Sequence, residues 1–302
     1  MSLSRPITEW QLRTRRLSLG TRTLIMGVIN ITPDSFSDGG QFLSPNQAID
    51  HALKLTEEGA DILDLGAEST KPGTQAGAES PTVSAEEEQS RLLPVIEGIL
   101  KAAPQTILSI DTYKATTARA ALRVGAEVIN DVSGFSWDPA MPLVCAEAKC
   151  GIVLMHTRGL PGEWRTQLQL APNALLNLVR SGLAESLSLA QTSGITPESI
   201  VLDPGYGFGK RLDENYALLA QQSQLLDLGR PLLAGLSRKS FLGHTLAPLY
   251  NGETAPPAQR ETATIAAHTA AILNGASILR THTVRSAVEA ARITDAILAA
   301  QV

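Results

Sequence analysis

The sequence predicts an α/β fold, a single (β/α)8 TIM barrel with a short N-terminal hairpin or arm, and three observations lead there. Eight short apolar runs alternate with eight segments of helical period. Each run is nearly continuous in apolar residues rather than alternating, as expected of parallel strands buried on both faces. The alternation occupies roughly 275 of the 302 residues, the length that eight strand-helix units require. An open doubly wound sheet is the alternative, but the Gly-rich dinucleotide fingerprint is missing after the first strand.

The elements follow in order. Residues 1–23 read as an arm or hairpin closing the N-terminal end, and residues 24–302 as the barrel. The strands are TLIMGVIN, DILDLG, TILSID, EVIND, GIVLM, SIVLD, PLLAGL and SILRTH. Between and after them lie helical stretches at residues 45–59, 84–103, 113–125, 138–149, 173–194, 212–226, 258–275 and 284–300. Ser84 with Glu87 forms a capping box at one helix start. Gly59, Gly125, Gly194 and Gly275 stand where helices should stop, because glycine tolerates the left-handed residue that ends them.

Composition narrows the function. The chain carries 25 Lys+Arg against 30 Asp+Glu, with no basic block to track a phosphate backbone, so nucleic acid is not an expected partner. MSLSRPITEW lacks the apolar core of a signal peptide and no later run is long enough to span a bilayer, so no membrane partner and a cytoplasmic location are expected. Cys145 and Cys150 have no His neighbours and read as buried thiols without a function.

In this architecture chemistry gathers at the C-terminal ends of the strands. Read in turn, those ends supply Asn30 with the loop TPDSFSDGG, Asp64 with AESTKPG, Asp111, Asn130-Asp131, Met155-His156, Asp203 before PGYGFGK, Ser237-Arg238-Lys239, and Arg280-x-His282. Polar groups at a buried mouth cost several kcal/mol unless paired, roughly the price of an unmet hydrogen bond or charge, so a full ring implies a ligand or a satisfied network. Singly, Asp111, Asn130 or Asp203 reads as well as a helix cap or loop anchor. Together they match a flat heterocycle with adjacent N–H donors, since a carboxylate accepts two hydrogen bonds at once. His156 reads as a satisfied structural histidine, and Asp64 as a buried hydrogen-bond hub rather than a base.

Lys71, Arg238, Lys239, Arg280 and His282 fall on the same rim, and Arg280 and His282, two apart on a strand, should point the same way. Such a set suits a phosphate or diphosphate. The plainer account pairs these cations with Asp34, Asp38 and Glu68. PGYGFGK is neither a P-loop nor a dinucleotide motif, because Lys210 stands where the latter needs glycine. Gly205, Gly207 and Gly209 are better used for a sharp turn that lets a flat ring approach.

GVINITPDSFSDGG, ESTKPG, SIDTYK, INDVSG, LMH, LDPGYGFGK, GLSRKSFLG and RTHTV, in this order, resemble the dihydropteroate synthase family of pterin-binding barrels. The resemblance implies a homodimer that uses Mg2+ to condense 6-hydroxymethyl-7,8-dihydropterin diphosphate with p-aminobenzoate, a sulfonamide target in folate biosynthesis. It further implies Asn30 as the magnesium ligand and Asp111, Asn130, Asp203 and Lys239 as pterin readers. Arg280 and His282 become the diphosphate clamp, Thr70 lies near diphosphate and Ser237 near aminobenzoate, and Phe36, Pro72 and Phe208 wall the second pocket. The loop after Asn30 and the loop at Ser69–Gly73 would close over the substrates. Departures are Lys71 where the family usually has arginine, the longer TQAGAESPTV, HTRG after Met155, and Thr283 in a commonly acidic place. Competing readings are a methyltetrahydrofolate-binding methyltransferase module of the same superfamily, a Schiff-base lyase using Lys239, and a barrel that binds without turnover.

Overall fold

The chain begins with two antiparallel strands, β1 (Thr8–Gln11) and β2 (Arg16–Leu19), paired from Thr8 opposite Leu19 to Gln11 opposite Arg16. Eight parallel strands follow: β3 (Leu24–Asn30), β4 (Ile62–Gly66), β5 (Leu108–Asp111), β6 (Val128–Asp131), β7 (Gly151–Met155), β8 (Ile200–Asp203), β9 (Leu232–Ala234) and β10 (Ala276–Thr281). They close a barrel in sequence order, with β10 paired to both β9 and β3. The computed structural model describes residues 5–32, 45–70, 73–78 and 83–300. Nine helices stand among the described residues: α1 (Pro45–Glu57), α2 (Ala85–Ala102), α3 (Ala115–Arg123), α4 (Met141–Ala148), α5 (Pro172–Thr192), α6 (Leu212–Ala220), α7 (Ser240–Thr245), α8 (Glu261–Leu273) and α9 (Val284–Ala299). None of them is long and apolar enough to cross a membrane.

Side chains alternate along each strand, which divides the core in two. Outward residues such as Ile25, Ile29, Leu63, Leu65, Leu108, Ile110, Leu202 and Leu279 pack with the helices. Inward residues Met26, Ile62, Val128, Val153, Val201, Leu233 and Ile278 fill the lower barrel, where Trp10, Leu12 and Leu19 from the hairpin join them. Trp10 is wholly buried and its indole N–H donates to the Ser199 carbonyl at 2.8 Å, so the ring's one polar atom is satisfied. Arg5 ties the arm down, donating to Thr23 Oγ1 and to the Ala276 carbonyl and pairing with Asp295 at 2.6 Å.

With its floor plugged by apolar groups, the barrel has room for polar inward residues only at its upper end. Register puts several at one height: Asn30 pairs with Gly66, Gly66 with Asp111, and Asp111 with Asn130, while Met155 pairs with Asp203. The Ser84 hydroxyl accepts from the Glu87 amide at 3.2 Å, and Gly59, Gly125, Gly194 and Gly275 all have positive φ, as the helix-boundary reading requires. Two local differences stand out. The stretch 212–226 splits into α6 and a 3-10 turn at Gln222–Leu228. Buried Gln222 is drawn inward there, taking the Tyr206 hydroxyl and donating to the Ala271 and Asn274 carbonyls. The segment after β9 forms α7, a short helix absent from the helical stretches read from the sequence.

Candidate functional site

Asp64 lies at the centre of β4, fully buried, with its carboxylate among three strands. Its Oδ1 accepts from Ser109 Oγ on β5 at 2.6 Å. Its Oδ2 accepts from Asn130 Nδ2 on β6 at 3.0 Å and from Arg280 Nε on β10 at 2.6 Å. The Arg280 fork also reaches Asp111 Oδ2 at 2.5 Å. One cation is thus held between two carboxylates, a geometry in which planar guanidinium outperforms ammonium. Burial opposes the charge on Arg280, but Asp64 and Asp111 outweigh it and keep the guanidinium firmly protonated. Burial also pushes Asp111 up to about 7, even against the pull of Arg280.

Across the mouth, Asp203 ends β8 almost completely buried. Its Oδ1 accepts from the Gly205 amide at 2.7 Å, and Oδ2 meets no hydrogen-bond donor among the described residues. Burial raises its pKa, with the Gly205 amide and Lys239 acting the other way. Gly205, Gly207 and Gly209 have φ of 71°, 82° and 70°, so the sharp turn is real. At Gly205 the close approach is to the chain itself, since a Cβ would lie 1.9 Å from the His156 carbonyl oxygen. Lys210 fastens this turn, donating to the His156, Gly205 and Phe208 carbonyls at 3.1, 2.8 and 3.2 Å. Burial lowers its pKa to about 7. Lys239 Nζ sits 4.1 Å from the centre of the Phe208 ring, and burial lowers it to about 8 while Asp203 opposes the change. Trp164 braces Phe208 edge-on at 5.0 Å.

On the β9–β10 side, Ser237 Oγ accepts from the His282 amide at 3.2 Å and lies 3.1 Å from His282 Nδ1. His282 is one residue beyond β10, so Arg280 and His282 share the rim but hold different partners. Arg238 has φ of 58° and donates to Thr283 Oγ1 at 3.2 Å, which donates in turn to Glu261 at 2.9 Å. Its cation is thereby committed toward α8, and Thr283, in the commonly acidic place, relays it to an acid on that helix.

Asn30 ends β3, and Thr70 ends the first described part of the loop after β4; both are half-buried. Phe36, Lys71 and Pro72 lie outside the described residues, as do Asp34 and Asp38. Glu68 pairs with Lys114 and with no rim cation among the described residues. The two cysteines are free and buried. Asp131 serves its own loop, accepting from Ser133 N and Oγ and from Phe135 N at 2.8, 2.7 and 3.0 Å. His156 corrects the expectation of a satisfied histidine, because its buried Nδ1 has no hydrogen-bond partner among the described residues. Burial holds its pKa well below the usual value, which keeps the ring neutral. Sequence reasoning missed Ser109 and Lys210. Ser109 carried a signal: it is two residues before Asp111 and so shares its face. Among the described residues no group of three His, Cys, Asp or Glu could hold a metal ion.

Comparison with known proteins agrees with this geometry. The pterin binding enzyme family matches residues 26–282. Dihydropteroate synthase of Mycobacterium leprae is 44% identical over 276 residues, covering 91% of this chain and 93% of that one. The structure of Xanthomonas albilineans dihydropteroate synthase in complex with 7,8-dihydropteroate is similar at TM-score 0.81 and 36% identity, covering 96% of this chain and 99% of that one. A Yersinia pestis dihydropteroate synthase with a sulfonamide drug is similar at TM-score 0.84 and 34% identity, covering 97% and 100%.

Proposed function

This chain belongs to the pterin binding enzymes, and from that premise we infer that it is a transferase, a dihydropteroate synthase. It condenses 6-hydroxymethyl-7,8-dihydropterin diphosphate with p-aminobenzoate to give 7,8-dihydropteroate and diphosphate. The observation that carries the reading is the meeting of two chemistries at one mouth: the acceptors of Asp111, Asn130 and Asp203 beside the cations Arg280 and Lys239.

In this reading Asp111, Asn130 and Asp203 accept hydrogen bonds from the N–H edge of the pterin, and Lys239 lies along its plane above Phe208. Arg280 and His282 face the diphosphate, with Thr70 and Lys71 beside it, while Ser237 and Arg238 stand on the aminobenzoate side with Phe36 and Pro72. The C–O bond to diphosphate breaks as the aryl amine forms the new C–N bond to the pterin methylene, and the amine proton leaves with diphosphate or solvent. Negative charge grows on the leaving oxygen, so the cations should contribute most in the transition state. The electron-rich ring delocalises positive charge, which Asp111 stabilises, and a weakly basic amine attacks without a dedicated base.

A magnesium ion fits the donors present. It keeps several waters and takes few protein oxygens alongside substrate phosphates, so the single amide oxygen of Asn30 is sufficient. When bound, Mg2+ neutralises diphosphate oxygens. The two free thiols support a reducing cytoplasmic setting. For a homodimer, α9 offers Ile293 and Ile297, one turn apart and exposed by 66% and 46%. Residues 24–302 act as one pterin-binding unit with the N-terminal arm beneath it.

The test mixes purified protein, Mg2+, the pterin diphosphate and p-aminobenzoate and follows released diphosphate. Release that requires both organic substrates is expected, and none with folded protein refutes the assignment. Sulfonamides should compete with p-aminobenzoate.

A further inference from the structure

The mouth reads an N–H edge only if Asn130 turns its carbonyl, not its amino group, toward the ligand. A side-chain amide is nearly symmetric in shape, so something must choose between the two. Asp64 has that ability. An ionised carboxylate accepts and never donates, so the end of Asn130 that meets it must be the amino end, as found at 3.0 Å. Turning Asn130 over would set two acceptors against each other where Asp64 is fully buried and Asn130 nearly so. The same Asp64 oxygen takes Arg280 Nε at 2.6 Å, and Ser109 Oγ locks the other oxygen at 2.6 Å. Donors from β5, β6 and β10 thus converge on a residue that itself lies below the mouth.

We propose that Asp64 is a specificity-determining positioning residue: by holding the Asn130 amino group and the Arg280 guanidinium on one oxygen, it leaves Asn130 only its carbonyl to offer the heterocycle and aims the anion clamp. This rests on the proposed activity and extends it to a residue that touches no substrate. With Asn130 so oriented, its Oδ1 joins Asp111 and the Asp203 Oδ2 as three acceptors facing one ligand. A ring carrying an amino group next to a ring N–H satisfies them. A ring lacking that amino group leaves a buried acceptor unmet, which is the stronger form of rejection.

The test is Asp64→Asn, which keeps size but lets residue 64 present either a donor or an acceptor, so Asn130 can turn. KM for the pterin diphosphate should rise ~10-fold or more, the range of one charge-assisted hydrogen bond, while KM for p-aminobenzoate stays within ~2-fold. Discrimination against a pterin diphosphate without the 2-amino group should fall ~10-fold, and kcat should drop because Arg280 loses an ionic partner. The reciprocal pair Asp64→Asn with Asn130→Asp restores donor to acceptor. Pterin KM and discrimination should then recover to within ~3-fold, with kcat still low. Circular dichroism melts check folding. If Asp64→Asn does not fold, Ser109→Ala decides, with pterin KM raised ~3-fold and aminobenzoate KM unmoved. Unchanged discrimination in folded Asp64→Asn overturns the proposal, as does an unmoved pterin KM in Ser109→Ala. Wild-type protein that releases no diphosphate would instead sink the assigned activity.

Discussion

Replacing His268 with leucine should remove part of the acid sensitivity of the fold, by an amount the structure allows to be worked out. His268 is buried in α8, the helix behind β10 and its Arg280. Neither ring nitrogen has a hydrogen-bond partner among the described residues. Burial lowers its pKa from 6.5 to about 4. The unfolded chain therefore takes up a proton near pH 6.5 that the folded chain refuses until about 4, and stability falls as pH drops through that window. At about 1.4 kcal/mol for each pH unit, the full loss is about 3.5 kcal/mol, roughly three-quarters of it reached by about pH 4.5. His268→Leu has no proton to take up, so its stability should exceed that of wild type by about 2.5 kcal/mol more at pH 4.5 than at pH 7.5. Other titrating groups, Asp111, Asp203 and His156 among them, are common to both proteins and cancel in the difference. At neutral pH the variant should already gain about 1 to 3 kcal/mol by deleting unmet buried nitrogens. Urea unfolding at four pH values measures both quantities. Parallel stability curves for the two proteins would refute the reasoning.

Arg280→Ala should lower kcat by about 10²-fold or more while pterin affinity changes little, and Asp203→Ala should do the reverse, weakening pterin binding about 10-fold or more; equilibrium binding and steady-state rates decide. The Lys239 ammonium discharges as pH rises through about 8 because burial disfavours its charge. Pterin affinity should accordingly decline above that pH in wild type and lose that dependence in Lys239→Met, as titration calorimetry across pH 7 to 9.5 would reveal. Ile293→Lys on exposed α9 should shift sedimentation toward monomer without lowering the melting temperature by more than ~2 °C. Trp10→Ala, which empties the barrel floor, should cost about 3–5 kcal/mol in chemical denaturation and leave the ligand affinities of folded protein near wild type.

The barrel was legible because its cause is local and periodic. Runs such as SIVLD and TILSID can be buried on both faces only in a parallel sheet, and eight of them with helices between close only one way at this length. The ring of polar strand ends was legible for the same reason: position at a strand's end can be read without knowing any neighbour. Which partner each group takes could not be read so. Arg280 lies 216 positions along the chain from Asp64, and only closure of β10 onto β3 brings them together. Glu68 lay open to pairing with a rim cation, yet Lys114 holds it instead. Ser109 and Lys210 were overlooked because a serine inside a strand and a lysine after a glycine turn have many ordinary uses.

Residue order alone thus decided the architecture, the end of the barrel where chemistry occurs, and the kinds of group found there, since these follow from hydrophobic period and strand polarity. Tertiary structure decided the pairing and orientation of those groups. It made Asp64 a shared acceptor for the Asn130 amino group and the Arg280 guanidinium, and burial raised Asp111 to about 7 and lowered Lys239 to about 8. Those properties depend on distances across a closed barrel and on exclusion of water, which no stretch of chain carries until the fold is complete.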